Sequence, residues 1–198
     1  MEKSKRQTFV GLTKGNFRFM VFFALTTLVF YTSCKKKDDA TPASGTSLSN
    51  QDTAYVDSIY LNNSVELKFG KLALQKATTT DLKNFASVII ANQTKIKNTL
   101  DSLNSKKNYK PKLPSDSLDS YHASLYDSLS VMATGWSWDS YYMTIYQLDE
   151  DYAMYDAAID ASTKANDANL KSVALNISNI IITQVGSDTT IIQSNGFQ

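Results

Sequence analysis

The scarcity of glycine and proline after residue 50 limits this chain to few folds. From Gln51 onward apolar residues recur at spacings of three and four, which is the period of an amphipathic α-helix. A β-sandwich or barrel would need more turn residues than this region contains. Only four glycines and two prolines interrupt it: Gly70, Gly135, Gly186, Gly196, Pro111 and Pro114. The sequence therefore predicts an all-α domain.

The apolar stripes divide this region, residues 52–194, into five predicted helices. Four are long, and they cover residues 52–77, 81–105, 137–163 and a last stretch that begins near Asp167 and has an open end past Gly186. A shorter helix is expected over residues 115–133. Because the connections within each pair of long helices are short, we expect two antiparallel hairpins packed as a bundle.

The N-terminus has the pattern of an export signal. Residues 1–18 carry five basic side chains against Glu2, and residues 19–31 form a mainly apolar run. Spanning a bilayer takes about 20 apolar residues, so this run is short for a permanent anchor. The pattern predicts a secretory signal peptide over residues 1–33.

The sole cysteine follows this signal directly. Small residues before Cys34 resemble the lipobox of bacterial lipoproteins, although Tyr31 stands where Leu is usual. The resemblance implies cleavage before Cys34 and its acylation, with residues 34–51 as a tether; a chance cysteine after an ordinary signal is the alternative. Lysines 35–37 before Asp38 and Asp39 resemble a surface-export signal of the Bacteroidota, or they are a solvated tether. We expect a lipid-anchored envelope protein at the outer membrane, on its periplasmic or surface face.

Charge and composition exclude several classes of function. Removing residues 1–33 leaves 15 Lys and Arg against 18 Asp and Glu, so the formal charge changes from +1 to −3. The electrostatic basis for nucleic-acid binding is lost with the signal. One Cys and one His exclude a disulfide framework, a cysteine zinc site and any site that needs two imidazoles. No catalytic residues and no cofactor are predicted.

Polar residues interrupt the apolar stripes at one height of the bundle. Glu66 and Gln93 lie at matching distances from the first hairpin turn, and the second hairpin offers Gln184. Asp149 or Glu150 is expected to join them from the fourth helix. The layer could be purely structural, or it could hold a water, an ion or a small ligand. A redox di-metal centre lacks the histidines and carboxylates that it would need.

Three stretches resemble the bacterial domain-of-unknown-function family 4142. They are residues 62–93, residues 135–151, and residues 170–184. The resemblance implies an exported, ferritin-like antiparallel helical bundle of unassigned activity. Members often carry histidines at the positions of Gln93, Glu150 and Gln184, while Glu66 matches the family's glutamate. A function that depends on those histidines is therefore not expected here.

Other polar motifs give weaker expectations. His122 is expected at the surface, and the basic loop with Lys106, Lys107, Lys110 and Lys112 is expected to be solvated. Asp-Ser and Asp-Thr triplets resemble an O-glycosylation motif of Bacteroidota envelope proteins, although they also suit helix starts. The candidate acceptors are Thr53, Ser58, Ser102, Ser117, Ser128 and Thr189.

These observations favour a non-enzymatic binding or interaction module held at the envelope by its lipid. The expected partners are the membrane, through that lipid, and an envelope protein or glycan. The alternative is a degenerate metal- or small-ligand-binding protein of the ferritin type with a polar site at mid-bundle.

Overall fold

Helices account for nearly all of the chain that the computed structural model describes, residues 47–114 and 118–198. The helical elements are α1 (Asn50–Lys76), α2 (Thr80–Lys107), α3 (Ser120–Val131), α4 (Trp136–Tyr141), a π-helical segment (Tyr142–Gln147), α5 (Leu148–Lys164) and α6 (Ala168–Asn195). Because α4, the π-helical segment and α5 follow without a break, they form one continuous helix. No strand occurs in these residue ranges, which confirms the prediction of an all-helical chain.

The short helix differs from its predicted bounds, and the last helix, whose end the sequence left open, ends at Asn195. The short helix α3 spans Ser120–Val131, and residues 115–117 lie outside the described part of the chain. Helix α6 continues through Gly186 to Asn195, where Gly196 ends it with a left-handed φ of 64°. An isolated glycine lowers helix propensity by only about 1 kcal/mol, so the packing of α6 outweighs it.

Two buried aspartates fix the connections at opposite ends of the bundle. Asp52 forms a capping box with Ser49 at the start of α1, and its Oδ1 accepts from the Asn166 amide at 2.6 Å in the α5–α6 connection. At the other end, Asp139 accepts from the amides of Thr78 and Thr79 in the α1–α2 connection. These bonds satisfy amides that have no partner within a helix.

The four longest elements pack in a closed order. Helices α1 and α2 form one hairpin and α5 and α6 form another, while α1 packs against α5 and α2 against α6. At the end of α2, the Lys107 ammonium lies 2.5 Å from the carboxylate of Asp167, which caps α6. Lys107 is therefore buried, and the expectation of a solvated loop is wrong for this lysine.

The apolar core consists of two main clusters. One contains Phe69, Ile89, Trp138 and Tyr146 and includes the contacts to α3. The other contains Ile59, Ile96, Met154 and Ile181. Buried polar side chains separate the clusters at the middle of the bundle. Within the described ranges, no helix combines the length and the apolar character that crossing a membrane requires.

Candidate functional site

The π-helical segment determines which side chains the fourth predicted helix turns inward. Trp138, Tyr142 and Tyr146 are buried at the regular spacing of four. A continuing α-helix would place Asp149 or Glu150 next on this face. The Leu148 amide instead bonds to the Met143 carbonyl, five residues back. The wider π-turn inserts one residue, so the buried face continues at Gln147 and Asp151.

This shift corrects the prediction for the fourth helix. Asp149 is exposed and takes no place in the interior. Glu150 is largely covered, but its Oε1 lies 2.9 Å from Nε2 of His122 on α3. The structure places Glu66, Gln93 and Gln184 in the interior, where each is at most 2% exposed.

Glu66 receives its hydrogen bond from Gln147, a residue that the sequence analysis did not select. The Gln147 amide donates from Nε2 to Glu66 Oε2 at 3.0 Å. Its Oε1 accepts from the Tyr142 hydroxyl at 2.6 Å. A glutamine supplies both a donor and an acceptor, so Gln147 links a phenol to a carboxyl within the core.

A second group of polar side chains joins α5 to α6. Gln184 donates from Nε2 to Asp151 Oδ1 at 2.7 Å and accepts from Nδ2 of Asn92 at 3.2 Å. Asp188 lies one turn beyond Gln184 and is fully buried beside Asp151. As carboxylates both would only accept, and Asp188 has no donor of its own among the described residues. One shared proton turns their contact into a hydrogen bond.

Gln93 belongs to a separate amide pair. Asn63 donates from Nδ2 to the Gln93 side-chain oxygen at 2.7 Å and to its main-chain carbonyl at 2.8 Å. Nε2 of Gln93 has no partner in the described part of the chain. Gln93 is therefore in the interior, but the hydrogen bond to Glu66 comes from Gln147 in the π-helical segment.

Burial controls the charge of this layer. It raises the pKa of Asp151 to about 6, although donors from Asp188, Gln147 and Gln184 oppose the shift. Burial and the Asp151 contact raise the pKa of Asp188 to about 11. The pKa of Glu66 lies well above its usual value, because burial and then the Asp151 charge outweigh the bond from Gln147. The interior therefore holds protons at neutral pH.

The family model described as "Domain of unknown function (DUF4142)" matches residues 37–183. The chain belongs to the DUF4142 family. No curated protein and no solved structure matched the chain.

The buried carboxyls of the layer raise the question of a metal in this DUF4142 chain. Within the described ranges, no three His, Cys, Asp or Glu side chains form a group that could hold a metal ion. The carboxyls of the layer have raised pKa values, so protons compete with any cation for their oxygens. The described residues therefore offer no preformed set of ligands for a metal ion.

His122 is not the surface histidine that the DUF4142 sequence suggested. It is 9% exposed, and its Nδ1 lies 2.8 Å from Asp119 while Nε2 meets Glu150. The two carboxylates cover both ring nitrogens and attach α3 to α5. An Asp three residues before the histidine was visible in the sequence, but the contact with Glu150 depends on the π-helical shift.

The remaining predicted positions lie outside the layer. Cys34 and Ser117 fall outside the described residues. Of the other candidate O-glycosylation sites, Thr53 is half-buried, and the rest are exposed on helices: Ser58, Ser102, Ser128 and Thr189. Three of these hydroxyls bond back to their own helix, namely Thr53, Ser128 and Thr189.

Proposed function

We propose that this DUF4142 chain is a lipid-anchored cell-envelope protein whose ferritin-like bundle acts as a non-enzymatic binding module. The basic and apolar leader, Cys34 after it, and a polar tether support the anchoring. The closed packing order of α1, α2, α6 and α5 supports the ferritin-like architecture. The polar layer is sealed, so binding takes place on the outer surface.

One observation carries the proposal: an apolar stripe remains partly uncovered along the continuous helix of α4, the π-helical segment and α5, with Leu148 and Tyr155 also packed against the core. Its members recur at spacings of four and three: Tyr141, Ile145, Leu148, Tyr152, Tyr155 and Ile159. Tyr152 is 47% exposed and Ile145 is 49% exposed. Helix α6, which packs against α5, also exposes Leu175 and Ile182 two turns apart.

The spacing of the apolar residues and the acidic residues beside them indicate what kind of helix the partner presents. Within α5, beyond the π-helical segment, Leu148, Tyr152, Tyr155 and Ile159 alternate at spacings of four and three. Such an alternation is the seam along which two helices pack, so the partner presents an amphipathic helix. Asp149 and Asp156 are exposed on the same helix and form no ion pair within the described ranges. A partner helix with basic residues beside its apolar seam complements these charges. The proposed partner is therefore another envelope protein with such a helix.

Site-specific photo-crosslinking in the native envelope tests this function. The crosslinker is placed at Ile145 or Tyr152 in the full chain, and at exposed Asn84 on α2 as the control. We expect both stripe positions, but not Asn84, to link to one protein, through a segment with helical apolar spacing and basic flanks. Equal linking from Asn84 overturns the proposal. A crosslink between two copies of the chain would show that the partner is a second copy and not another envelope protein.

Lipid labelling tests the anchoring separately. Cells expressing the full chain receive an alkyne-tagged fatty acid, and we expect the label on the parent but not on a Cys34→Ser variant. The parent should fractionate with membranes, and the variant should be released from them. Label on the variant, or none on either chain, would contradict the lipid anchor.

The second candidate function is a degenerate metal- or small-ligand-binding protein. An unpartnered buried oxygen favours it, since Glu66 Oε1 has no hydrogen-bond donor in the described part of the chain. The discriminating measurement is the metal content of the purified chain after incubation with iron, manganese or zinc. Near-stoichiometric metal that a Glu66→Gln variant loses would favour this candidate over the binding module.

A further inference from the structure

A polar groove lies between α2 and α6, separate from the apolar stripe. Its volume is about 700 Å³. Lys95, Asn98, Ser102 and Lys106 line it from α2, and Asn169 and Ser172 line it from α6. A smaller hollow of about 260 Å³ shares Lys95 and continues along both helices. The two together form one elongated depression.

The charges of the groove are of one sign. No carboxylate lines it, although the chain after residue 33 has a net charge of −3. Lys95 and Lys106 are eleven residues apart, which places them on one face of α2 and about 16 Å from each other along the helix. Neither lysine forms an ion pair within the described ranges. The groove therefore has two available positive charges at a fixed distance.

The space between the lysines contains uncommitted hydrogen-bonding groups. The side chains of Asn98, Ser102 and Ser172 form no hydrogen bond with the rest of the described chain. The other two hydroxyls of the groove, on Thr94 and Thr99, donate to the carbonyl four residues earlier in α2. Amides and hydroxyls both donate and accept, which suits the hydroxyl groups of a sugar.

We propose that this groove binds an acidic oligosaccharide. Its carboxylates would meet the two ammonium groups, while the amides and hydroxyls between them would bond to sugar hydroxyls. A compact anion such as phosphate reaches only one of the lysines. Nucleic acid is disfavoured because the groove has no aromatic side chain on which a base could stack. The proposal stands apart from the docking stripe and does not depend on it.

Calorimetric titration of the full chain tests the ligand class. The probes are hexagalacturonate, neutral maltohexaose, inorganic tripolyphosphate and an oligoglutamate peptide. We expect binding of hexagalacturonate, weakened by salt because the charges are exposed, and little heat from the other three. Equal affinity for maltohexaose, tripolyphosphate or the peptide would overturn the proposal.

Substitutions test whether hexagalacturonate binds in this groove. The double variant Lys95→Gln/Lys106→Gln should raise the Kd for hexagalacturonate roughly tenfold, within the range that two exposed charge pairs give. The control Lys71→Gln/Lys83→Gln removes two exposed lysines outside the groove and should leave the Kd unchanged. Asn98→Ala/Ser172→Ala retains both charges and should still weaken hexagalacturonate binding. Equal effects of the groove and control lysines would place the ligand elsewhere and refute the assignment.

Discussion

Asp151 on α5 and Asp188 on α6 form a fully buried acid pair that one proton holds together. No lysine, arginine or histidine forms an ion pair with either acid within the described ranges. Two ionised carboxylates in this place would repel each other without compensation, so the pair is stable only while it retains a proton. The α5–α6 contact is therefore sensitive to pH.

We expect the free energy of unfolding to decrease as the pH rises from mildly acidic values. The folded pKa of Asp151, about 6, lies above its usual value of 3.8, so the folded state binds this proton more tightly than the unfolded state. That stabilisation is complete below the unfolded pKa and is lost as the pH passes the folded pKa. Asp188, with a folded pKa of about 11, adds a loss in the same direction across this range. Between about pH 5 and pH 8, urea unfolding should therefore show a loss of at least about 1–3 kcal/mol.

A neutral isostere separates this effect from other titrations. Asp188→Asn retains a donor to Asp151 at every pH, so its stability should depend less on pH and equal or exceed that of the parent at pH 8. Asp149→Asn changes an exposed acid on the same helix and should retain the parent's pH dependence. The pKa values of Asp101, Asp119 and Asp167 are lowered, so the stability that these groups contribute to the folded chain is lost only at lower pH. A parent curve that is flat from pH 5 to pH 8 would contradict the acid pair.

Replacing Gln147 in the π-helical segment should lower the free energy of unfolding more than replacing Gln93 in α2. Gln147→Leu leaves both the Tyr142 hydroxyl and Glu66 Oε2 without their partner, and an unsatisfied buried group costs about 1–3 kcal/mol. Gln93→Leu removes an amide whose Nε2 is unpartnered, and Asn63 retains the Gln93 main-chain carbonyl. Urea unfolding should therefore rank Gln147→Leu as the less stable variant, and the reverse order would refute the assigned hydrogen bonds.

Alanine substitutions at two glycines within helices should change the stability of the chain in opposite directions. A Cβ at Gly70 would lie 2.9 Å from Cγ2 of the fully buried Ile89, so Gly70→Ala should destabilise the chain by about 1 kcal/mol or more. At Gly186 no atom lies within 4 Å of an added Cβ, and Gly186→Ala should stabilise the chain by about 0.5–1 kcal/mol. Thermal unfolding of the two variants measures both effects. Stabilisation by both substitutions would show that α1 and α2 are not in close contact at Gly70.

The contact between His122 and Glu150 predicts a local effect on α3. Glu150→Ala removes the carboxylate at Nε2 and should lower stability by about 1–3 kcal/mol, with faster hydrogen exchange in Ser120–Val131. Asp149→Ala, one residue earlier and exposed, should change stability by less than about 0.5 kcal/mol. If the two variants exchange alike in α3, Glu150 does not attach that helix.

The helices could be predicted because their apolar period persists over many turns and few residues interrupt it. The interior positions of Glu66, Gln93 and Gln184 followed from the same period, since each interrupts an apolar stripe. Gln147 and Asp151 could not be found in this way, because a regular period of 3.6 residues per turn does not account for the extra residue of the π-turn. Asp188 was missed because the last helix had no predicted end past Gly186, so the residues beyond that glycine were assigned to no face of the bundle.

Because of the π-helical segment, this helix could lose one residue while the buried faces of its two halves stay aligned. Trp138 and Tyr142 lie four residues apart before it, and Gln147, Asp151 and Met154 follow at spacings of four and three. If one residue between Tyr142 and Gln147 were absent, these five side chains would share the continuous face of an ordinary α-helix. The acid pair would keep its orientation, and only the aromatic packing around Tyr146 would have to adapt. Natural length variation at this turn would therefore alter the aromatic wall while preserving the polar layer.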